Sequence, residues 1–577
     1  VTYWQIITRS LKTKMKTYRI EDIQILNELP PKAKKGDKIA IDTEWTQMEK
    51  KKLHRPTGNF ASLACTFDGK VVYLIQDSSK IKAFLDNLND GVWIFHNAKF
   101  DIFHLRRFAN IQKRMRLWDT MLIEQIMYSG YYSDFTLADL ARRRLNIYLP
   151  KEERETFNEA SNELTQSQLV YSAFDVVATW QVYKSQRTEI DENDLNLWKE
   201  IELPFLWVVL SLSGMKVDSQ AWKILAKRNM EKAQEYRDKY PEMNLSSPEQ
   251  VLKKLNELGY KKLDSTKEDY LKPILSECEF AKDLLEYRGL SKASSTYGEN
   301  WIEDFMESDN RIYSDFKPIG AATGRLSSSS PNMENIPSKD TKEFRKCFIA
   351  DDENVLVDAD WSAQEPRIAS YLSQDEKMIE IFRNKKDIYI EAARLMFGWN
   401  LSKKDPRRKE LMKPTVLGAS YGLTEYGMEL KYQIPKKDGK RLLNAFFDTF
   451  DGMRRFRDRQ YKIKTFVQTI YGRKFWLNPY QKGSENNALN SPVQGSAADA
   501  LKIAAYSFLD RWGWADTNSV MVNIVHDEIL IEVPEQLKDA AIQMLKDVMI
   551  EVAESMHDGI PADVEIGFGK NWADAHP

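Results

Sequence analysis

A chain of 577 residues, 42% of them hydrophobic, carries apolar material for several cores, roughly four domains at ~150 residues each. No run approaches the ~18 apolar residues of a membrane span. Three cysteines (Cys65, Cys278, Cys347) and six histidines argue against a disulfide scaffold or structural zinc and fit a reducing compartment, the cytoplasm. The net charge is only −2, so a polyanionic partner would have to meet local basic clusters. Such clusters occur at 403–413, 436–441 and 454–464, and each also reads as a solvated helix face.

The first twenty residues contain no acid and carry Arg9, Lys12, Lys14, Lys16 and Arg19, a composition shared with transit peptides. TYWQIITRSL nevertheless alternates like a strand, and no Ser-rich tail follows. In KIAIDTEW, Ile39 and Ile41 share one strand face while Asp42 and Glu44 share the other. FHNAKFDIFHL sets Asn97 and Asp101 four apart, and LVYSAFDVVATWQVY sets Tyr171 and Asp175 four apart, both at the spacing that shares a helix face. Taken singly, each has a plain alternative in a cap, a surface acid or a salt bridge. Asp119, in WDTMLIEQI, reads as a helix cap.

From 202 to 297, ELPFLWVVLSLSGMKVDSQAWKILAKR, NLSSPEQVLKKLNELG and LLEYRGLSKASSTY predict amphipathic helices with Asx or Ser start signals. In ENVLVDADWSAQEPRIASYL, Val355, Leu356 and Val357 signal a strand on which Asp358 and Asp360 share a face, before helical spacing takes over after Arg367. Asp360 then stands at a strand end near a helix start. Asp405 as N-cap and Pro406 at the first position open a helix carrying Arg408, Lys409 and Lys413 on a basic face. Pro414 lies inside it, where a lost donor and a ring clash cost about 3 kcal/mol, so a kink or a delayed start is expected. In MVNIVHDEILIEV an apolar strand-like run is broken by His526, Asp527 and Glu528. Either a polar hairpin turn faces water, or the acids are buried and compensated. Carboxylate oxygens suit Mg²⁺, and strands meeting at Asp360 and Asp527 would build a two-metal site for phosphoryl transfer.

VDADWSAQEPR and VHDEI resemble motifs A and C of family A DNA polymerases, the bacterial polymerase I group with its phage relatives. TGRLSSSSPNMENIP (323–337), RRKELMKPTVLGASYG (407–422), ALNSPVQGSAAD (488–499) and the C-terminal GKNWADAH resemble further segments of that family, in order. The resemblance implies a mixed α/β and α+β multidomain chain: an RNase H-like, DnaQ-like 3′→5′ exonuclease domain followed by a right-hand polymerase. Residues 1–190 would be the exonuclease, 191–310 the thumb, 311–395 and 480–577 the palm, and 396–479 the fingers. It also implies primer-template DNA and dNTPs as partners, two Mg²⁺ per active site with Mn²⁺ as a substitute, a monomer, and an unidentified helicase, primase or processivity factor alongside. No membrane is involved.

By the same resemblance, Asp360 and Asp527 hold the polymerase metals, with Glu528 as an accessory acid. Lys413 is the phosphate-binding lysine, Tyr421 guards the templating position, Glu365 is the steric gate, and Arg408, Lys409, Leu417 and Tyr389 line the dNTP. Arg325, Asn332, Asn335, Asn490, Gln494, His526 and, on the thumb, Lys292 contact DNA. In the exonuclease, Asp42, Glu44, Asp101 and Asp175 hold two metals while Tyr171 orients the attacking water. The chain departs from the pattern at Leu417, where the family has Phe or Tyr, at Lys409, where it has Arg, and at Tyr389, where it has His. Leu417 predicts stronger rejection of dideoxynucleotides; adjacent Arg408 is expected to compensate for the others. Leu417, the EPR ending of motif A and the lack of a 5′-nuclease-like segment ahead of the exonuclease lean towards a phage enzyme. Two other readings are an exonuclease with a DNA-binding but inactive polymerase module, and a noncatalytic DNA-binding scaffold.

Overall fold

The computed structural model describes residues 23–577 apart from 50–56, 112, 114–115, 150–155, 158–163, 262, 338–342, 479, 481–482 and 515–519. The strand expected at TYWQIITRSL lies outside these residues. The chain divides into two compact units. The first comprises residues 1–210 with two later segments, 316–327 and 471–478; the second comprises 211–315, 328–470 and 479–577. The first unit thus runs past residue 190 and takes in two stretches that the family resemblance would assign to palm and fingers.

The first unit is built on a six-stranded sheet of β1 (Gln24–Leu26), β2 (Lys38–Thr46), β3 (Asn59–Thr66), β4 (Val71–Ile75), β5 (Val92–Phe95) and β6 (Leu117–Asp119), in the order β1-β4-β3-β2-β5-β6. The β2–β3 and β3–β4 pairs are antiparallel; β5 runs parallel to both β2 and β6. On β2 the apolar Ile39 and Ile41 are buried while Asp42 and Glu44 are half-buried. A bulge between Glu44 and Trp45 changes the register there, a device that re-aims a side chain. Three helices carry the remaining polar residues: α1 (Ala98–Leu105), α2 (Thr120–Tyr128) and α3 (Gln166–Arg187). Asp119 caps α2 by accepting from the Met121 and Leu122 amides, as the sequence suggested. Thr165 and Gln168 close a capping box on α3, which fixes the rotation of the helix bearing Tyr171 and Asp175.

In the second unit, Asp218 caps α4 (Ser219–Lys239) and α4 packs on α5 (Glu279–Thr296) around Leu245, Val251, Leu255, Leu284 and Tyr287. Farther along come β7 (Asn354–Trp361), α6 (Gln364–Ser373), α7 (Lys413–Ser420), α8 (Ser484–Trp512), β8 (Val520–Val525), β9 (Glu528–Pro534), α9 (Lys538–Met556), β10 (Val564–Gly569) and α10 (Trp572–Ala575). The strands form one antiparallel sheet, β8-β9-β7-β10. Period-2 alternation gives β7 two faces. Trp361, on the face with Val357 and Ala359, donates to the Met549 carbonyl of α9 at 3.1 Å. Leu356, on the other face, packs in one core with Leu530, Trp222, Phe344, Phe348 and Trp572. Asp358 and Asp360 follow Leu356 on that second face.

Pro414 shows how its ring is accommodated. A π-turn spans Arg408–Met412, and α7 begins at Lys413 with Pro414 in its first turn. The backbone stays helical without a break from 406 to 420, so the ring is taken up at the widened turn, where the Lys413 amide reaches back to the Arg408 carbonyl and Thr415 Oγ1 donates to the Leu411 carbonyl at 2.6 Å. The delayed start expected from the sequence does not occur; the helix is already formed at 406 and widens to a π-turn just before the proline.

Candidate active sites: two carboxylate clusters

In the second unit, β8 and β9 form a hairpin whose two turn residues are His526 and Asp527, with Val525 opposite Glu528. His526 adopts φ +52°, matching a two-residue hairpin turn that needs a left-handed first position. Of the two alternatives for these acids, the structure combines both: a turn, with its carboxylates against the sheet. Register puts Glu528 of β9 and Glu565 of β10 on either side of Asp360 of β7. The crowding shows in protonation. Burial, then the negative charges of Asp527, Glu528, Asp358 and Glu565, push Asp360 up to about 9. Among the described residues, its Oδ1 is buried without a hydrogen-bond partner.

Neighbouring charges partly neutralise the cluster. His576 Nδ1 lies 3.3 Å from Asp358 Oδ2 and 3.5 Å from Glu528 Oε1, and Arg345, stacked 4.0 Å over the Trp572 ring, reaches Glu528 at 3.7 Å. Burial pushes Glu528 up to about 7, helped by Asp358 and opposed by Arg345 and His576. The contact with Asp358 raises the His576 pKa. His576 reaches the sheet because β10 carries Gly567 and Gly569. A Cβ at Gly567 would meet the Ala575 carbonyl oxygen at 2.2 Å, and one at Gly569 would meet Asp574 Cβ at 2.8 Å. Sequence reasoning noticed Asp358 only as a face-mate of Asp360 and missed His576 and Arg345; the Gly-Phe-Gly spacing before GKNWADAH was the available signal.

The other residues singled out in this unit are distributed as follows. Glu365 stands half-buried in the first turn of α6, after Ala363 at φ +53°. Lys409 and Lys413 are exposed, Leu417 and Tyr421 are half-buried, and Met412, Pro414, Val416 and Ala419 between them are buried. Arg408 instead pairs with Asp387 at 2.5 Å and lies 5.3 Å from the centre of the buried Tyr389 ring. Asp387 also caps the helix Ile388–Phe397, so the Arg408 guanidinium is anchored locally. Asn332 caps a short turn by accepting from the Asn335 amide, and both residues are exposed. Glu334 between them lies 3.8 Å from His526. On α8, Asn490 and Gln494 are half-buried at i,i+4 spacing between buried neighbours. Lys292 is exposed on α5.

In the first unit, ligand oxygens of Asp42, Glu44 and Asp175 all lie within 4.8 Å of one another. Asp101 is held differently. It is 2% exposed and accepts from the Thr43 amide (3.1 Å) and hydroxyl (2.6 Å). Burial outweighs those donors and pushes it up to about 7. Asn97, at φ +68°, caps α1 from the left-handed region and gives its amide to Asp119 at 3.1 Å. Tyr171 is buried one turn before Asp175, its ring centre 5.8 Å from that of Phe157. Arg325 is half-buried, on the 316–327 segment of this same unit.

The two clusters coincide with two family matches. Residues 216–574 match DNA polymerase family A, over more than half the chain. The chain belongs to DNA polymerase family A. Residues 18–191 match the 3′-5′ exonuclease family. Among curated relatives, the DNA polymerase I of Borreliella burgdorferi is 28% identical over 99% of this chain and 66% of its own length. That of Caldicellulosiruptor bescii is 29% identical over 88% and 60%, and that of Pseudomonas aeruginosa 27% over 94% and 64%. The chain therefore spans somewhat under two thirds of these relatives. The fold matches the POL domain of Pol1 from M. smegmatis, solved in complex with DNA primer-template and dNTP, with a TM-score of 0.79 at 24% identity, covering 94% of this chain and 96% of that one. Polymerase and exonuclease domains of these families use divalent metal ions. Both clusters have the donor chemistry for a hard cation: oxygen ligands throughout the first, and at the second a buried carboxylate oxygen without a hydrogen-bond partner. Among the described residues, no helix is long and apolar enough to cross a membrane.

Proposed function

We propose that this chain copies a DNA template from dNTPs by two-metal nucleotidyl transfer and proofreads its product with a 3′→5′ exonuclease. The observation that carries the reading is the presence of two carboxylate clusters, one per compact unit, each inside the segment matched by the corresponding family. The primer-template and dNTP bound to the M. smegmatis relative support the same substrates here.

In this reading Asp360 and Asp527 hold two Mg²⁺ ions, and Glu528, restrained by His576 and Arg345, shapes the electrostatics beside them. Bound Mg²⁺ would activate the primer 3′-OH and stabilise the charge developing on the triphosphate. Lys409 and Lys413, on the exposed side of their helix, bind phosphate, and Lys413 gives a proton to the departing pyrophosphate. Glu365 crowds the position a 2′-OH would take, Leu417 packs against the incoming sugar, and Tyr421 closes over the templating base. Arg408, anchored by Asp387, orders Tyr389 beside them. Asn332, Asn335, Asn490, Gln494, His526 and Arg325 contact the duplex, with Lys292 on backbone phosphate. In the first unit Asp42, Glu44 and Asp175 hold metal, Asp101 completes the set from the Thr43 side, and Tyr171 orients the attacking water.

Primer extension with Mg²⁺, run with and without dNTPs, tests this. Extension with dNTPs and shortening without them is the expected result. Shortening alone would mean a polymerase module that binds DNA without copying it, and neither activity would leave a DNA-binding scaffold.

A further inference from the structure

The first unit contains two segments far from its own strands in sequence, 316–327 and 471–478, and it binds them through specific polar contacts. Lys99 Nζ donates to the Phe316 carbonyl at 2.7 Å and Gln125 Nε2 to that of Ile319 at 3.2 Å. Asn193 Nδ2 donates to the Gly472 carbonyl at 2.8 Å, Lys474 reaches Asp194 at 2.9 Å, and Trp476 Nε1 donates to the Met127 carbonyl at 2.7 Å. At the centre Arg473, 2% exposed, forms an ion pair with the fully buried Glu202.

Arg473 has a second neighbour. Gly324 sits on it at φ +90°, and a Cβ there would stand 2.6 Å from Arg473 Cδ and 2.7 Å from Nε. Glycine is therefore required twice over, by conformation and by space. The turn around it is tight: Gly324 N donates to the Ala321 carbonyl at 2.9 Å, while the Gly320 and Ala321 amides donate to the Arg325 carbonyl at 2.9 and 3.0 Å. The backbone of Arg325 is thereby tied to a turn that rests on Arg473, whose guanidinium is set by Glu202.

We infer that Glu202 and Arg473 are positioning residues for duplex recognition: their buried ion pair sets the Gly324 turn that presents Arg325 to primer-template DNA. This rests on the reading of Arg325 as a duplex contact, and the test separates the two. Primer-template affinity and steady-state extension are measured for Arg325→Ala, Glu202→Gln, Gly324→Ala and the double variant Glu202→Gln/Arg325→Ala, with single-strand exonuclease activity confirming that each unit is folded. Arg325→Ala should raise the Kd roughly tenfold, the scale of one charge-assisted contact. Glu202→Gln and Gly324→Ala should approach that loss through the KM for DNA, with kcat at saturating DNA retained. The double variant should be no weaker than Arg325→Ala alone, because coupled residues are not additive. If Glu202→Gln does not fold, Gly324→Ala carries the same comparison with Arg325→Ala. Additive losses, or unchanged affinity in both positioning variants beside a weakened Arg325→Ala, overturn the inference. Unchanged affinity in Arg325→Ala overturns the reading beneath it.

Discussion

The two acid clusters manage the same electrostatic problem in different ways. In the first unit three half-buried carboxylates lie together, and Asp101, fully buried, is hydrogen-bonded to Thr43. In the second, four acids bear on Asp360, and His576 and Arg345 stand among them as resident counter-charges. At the second site mutual repulsion is offset by cations of the protein itself. His576 thereby restrains Asp358 and Glu528, and Arg345 restrains Glu528, beside Asp360.

The largest test of this contrast is the separation of activities. Asp527→Ala should lower extension by about a thousandfold or more, the range for losing a metal-held charge at a reacting phosphate, while single-strand degradation survives; Asp42→Ala should do the reverse. Loss of both activities in either variant would mean the clusters are not independent.

Next comes the competition between protons and metal. Asp360 holds its proton up to about pH 9 and Asp101 up to about pH 7. The Mg²⁺ concentration for half-maximal extension should thus rise by up to roughly tenfold per pH unit on going down from pH 9. The corresponding rise for the exonuclease should begin only below pH 7. Parallel profiles for the two activities would erase the distinction between the sites.

Leu417→Tyr should raise dideoxynucleotide use relative to the normal substrate by about tenfold, the equivalent of one aromatic contact of roughly 1.4 kcal/mol, leaving the exonuclease unchanged. Competitive incorporation assays would read it directly, and an unchanged ratio would remove Leu417 from the sugar pocket.

The smallest effect is on stability. Asp360 has a raised folded pKa, so its favourable contribution is complete below about pH 4 and is lost as pH rises through about 9. In the absence of divalent cations Asp360→Asn should gain Tm over the parent progressively across that window, by a few degrees, and Mg²⁺ should narrow the gap. A constant difference across pH would mean that Asp360 is not under the strain its neighbours imply.

Much of this was legible in local pattern. Alternation placed Asp42 with Glu44 and Asp358 with Asp360, and helical spacing placed Tyr171 and Asp175 on α3. Contacts that depend on distant segments were not legible. The Thr43 amide and hydroxyl that hold Asp101 lie 58 residues before it and leave no local mark. Arg408 carried the charge expected near a triphosphate, but Asp387, 21 residues earlier, claims its guanidinium. His576 reaches the sheet only because two glycines on β10 leave room for the chain end against it. The division of the chain was hidden for the same reason, since 316–327 and 471–478 join the first unit through tertiary contacts that leave no periodic mark.

The burial of all three cysteines has a practical consequence. Thiol-specific dyes react with the thiolate, and burial pushes the Cys65 thiol well up and that of Cys347 up to about 12. The parent chain should accept almost no maleimide while folded. Leu430, 60% exposed on the helix Glu425–Tyr432, and Tyr148, 58% exposed in the first unit, are then ready positions for single cysteines. An environment-sensitive dye on either one would report on its own unit as DNA is extended or excised, with no native thiol to remove.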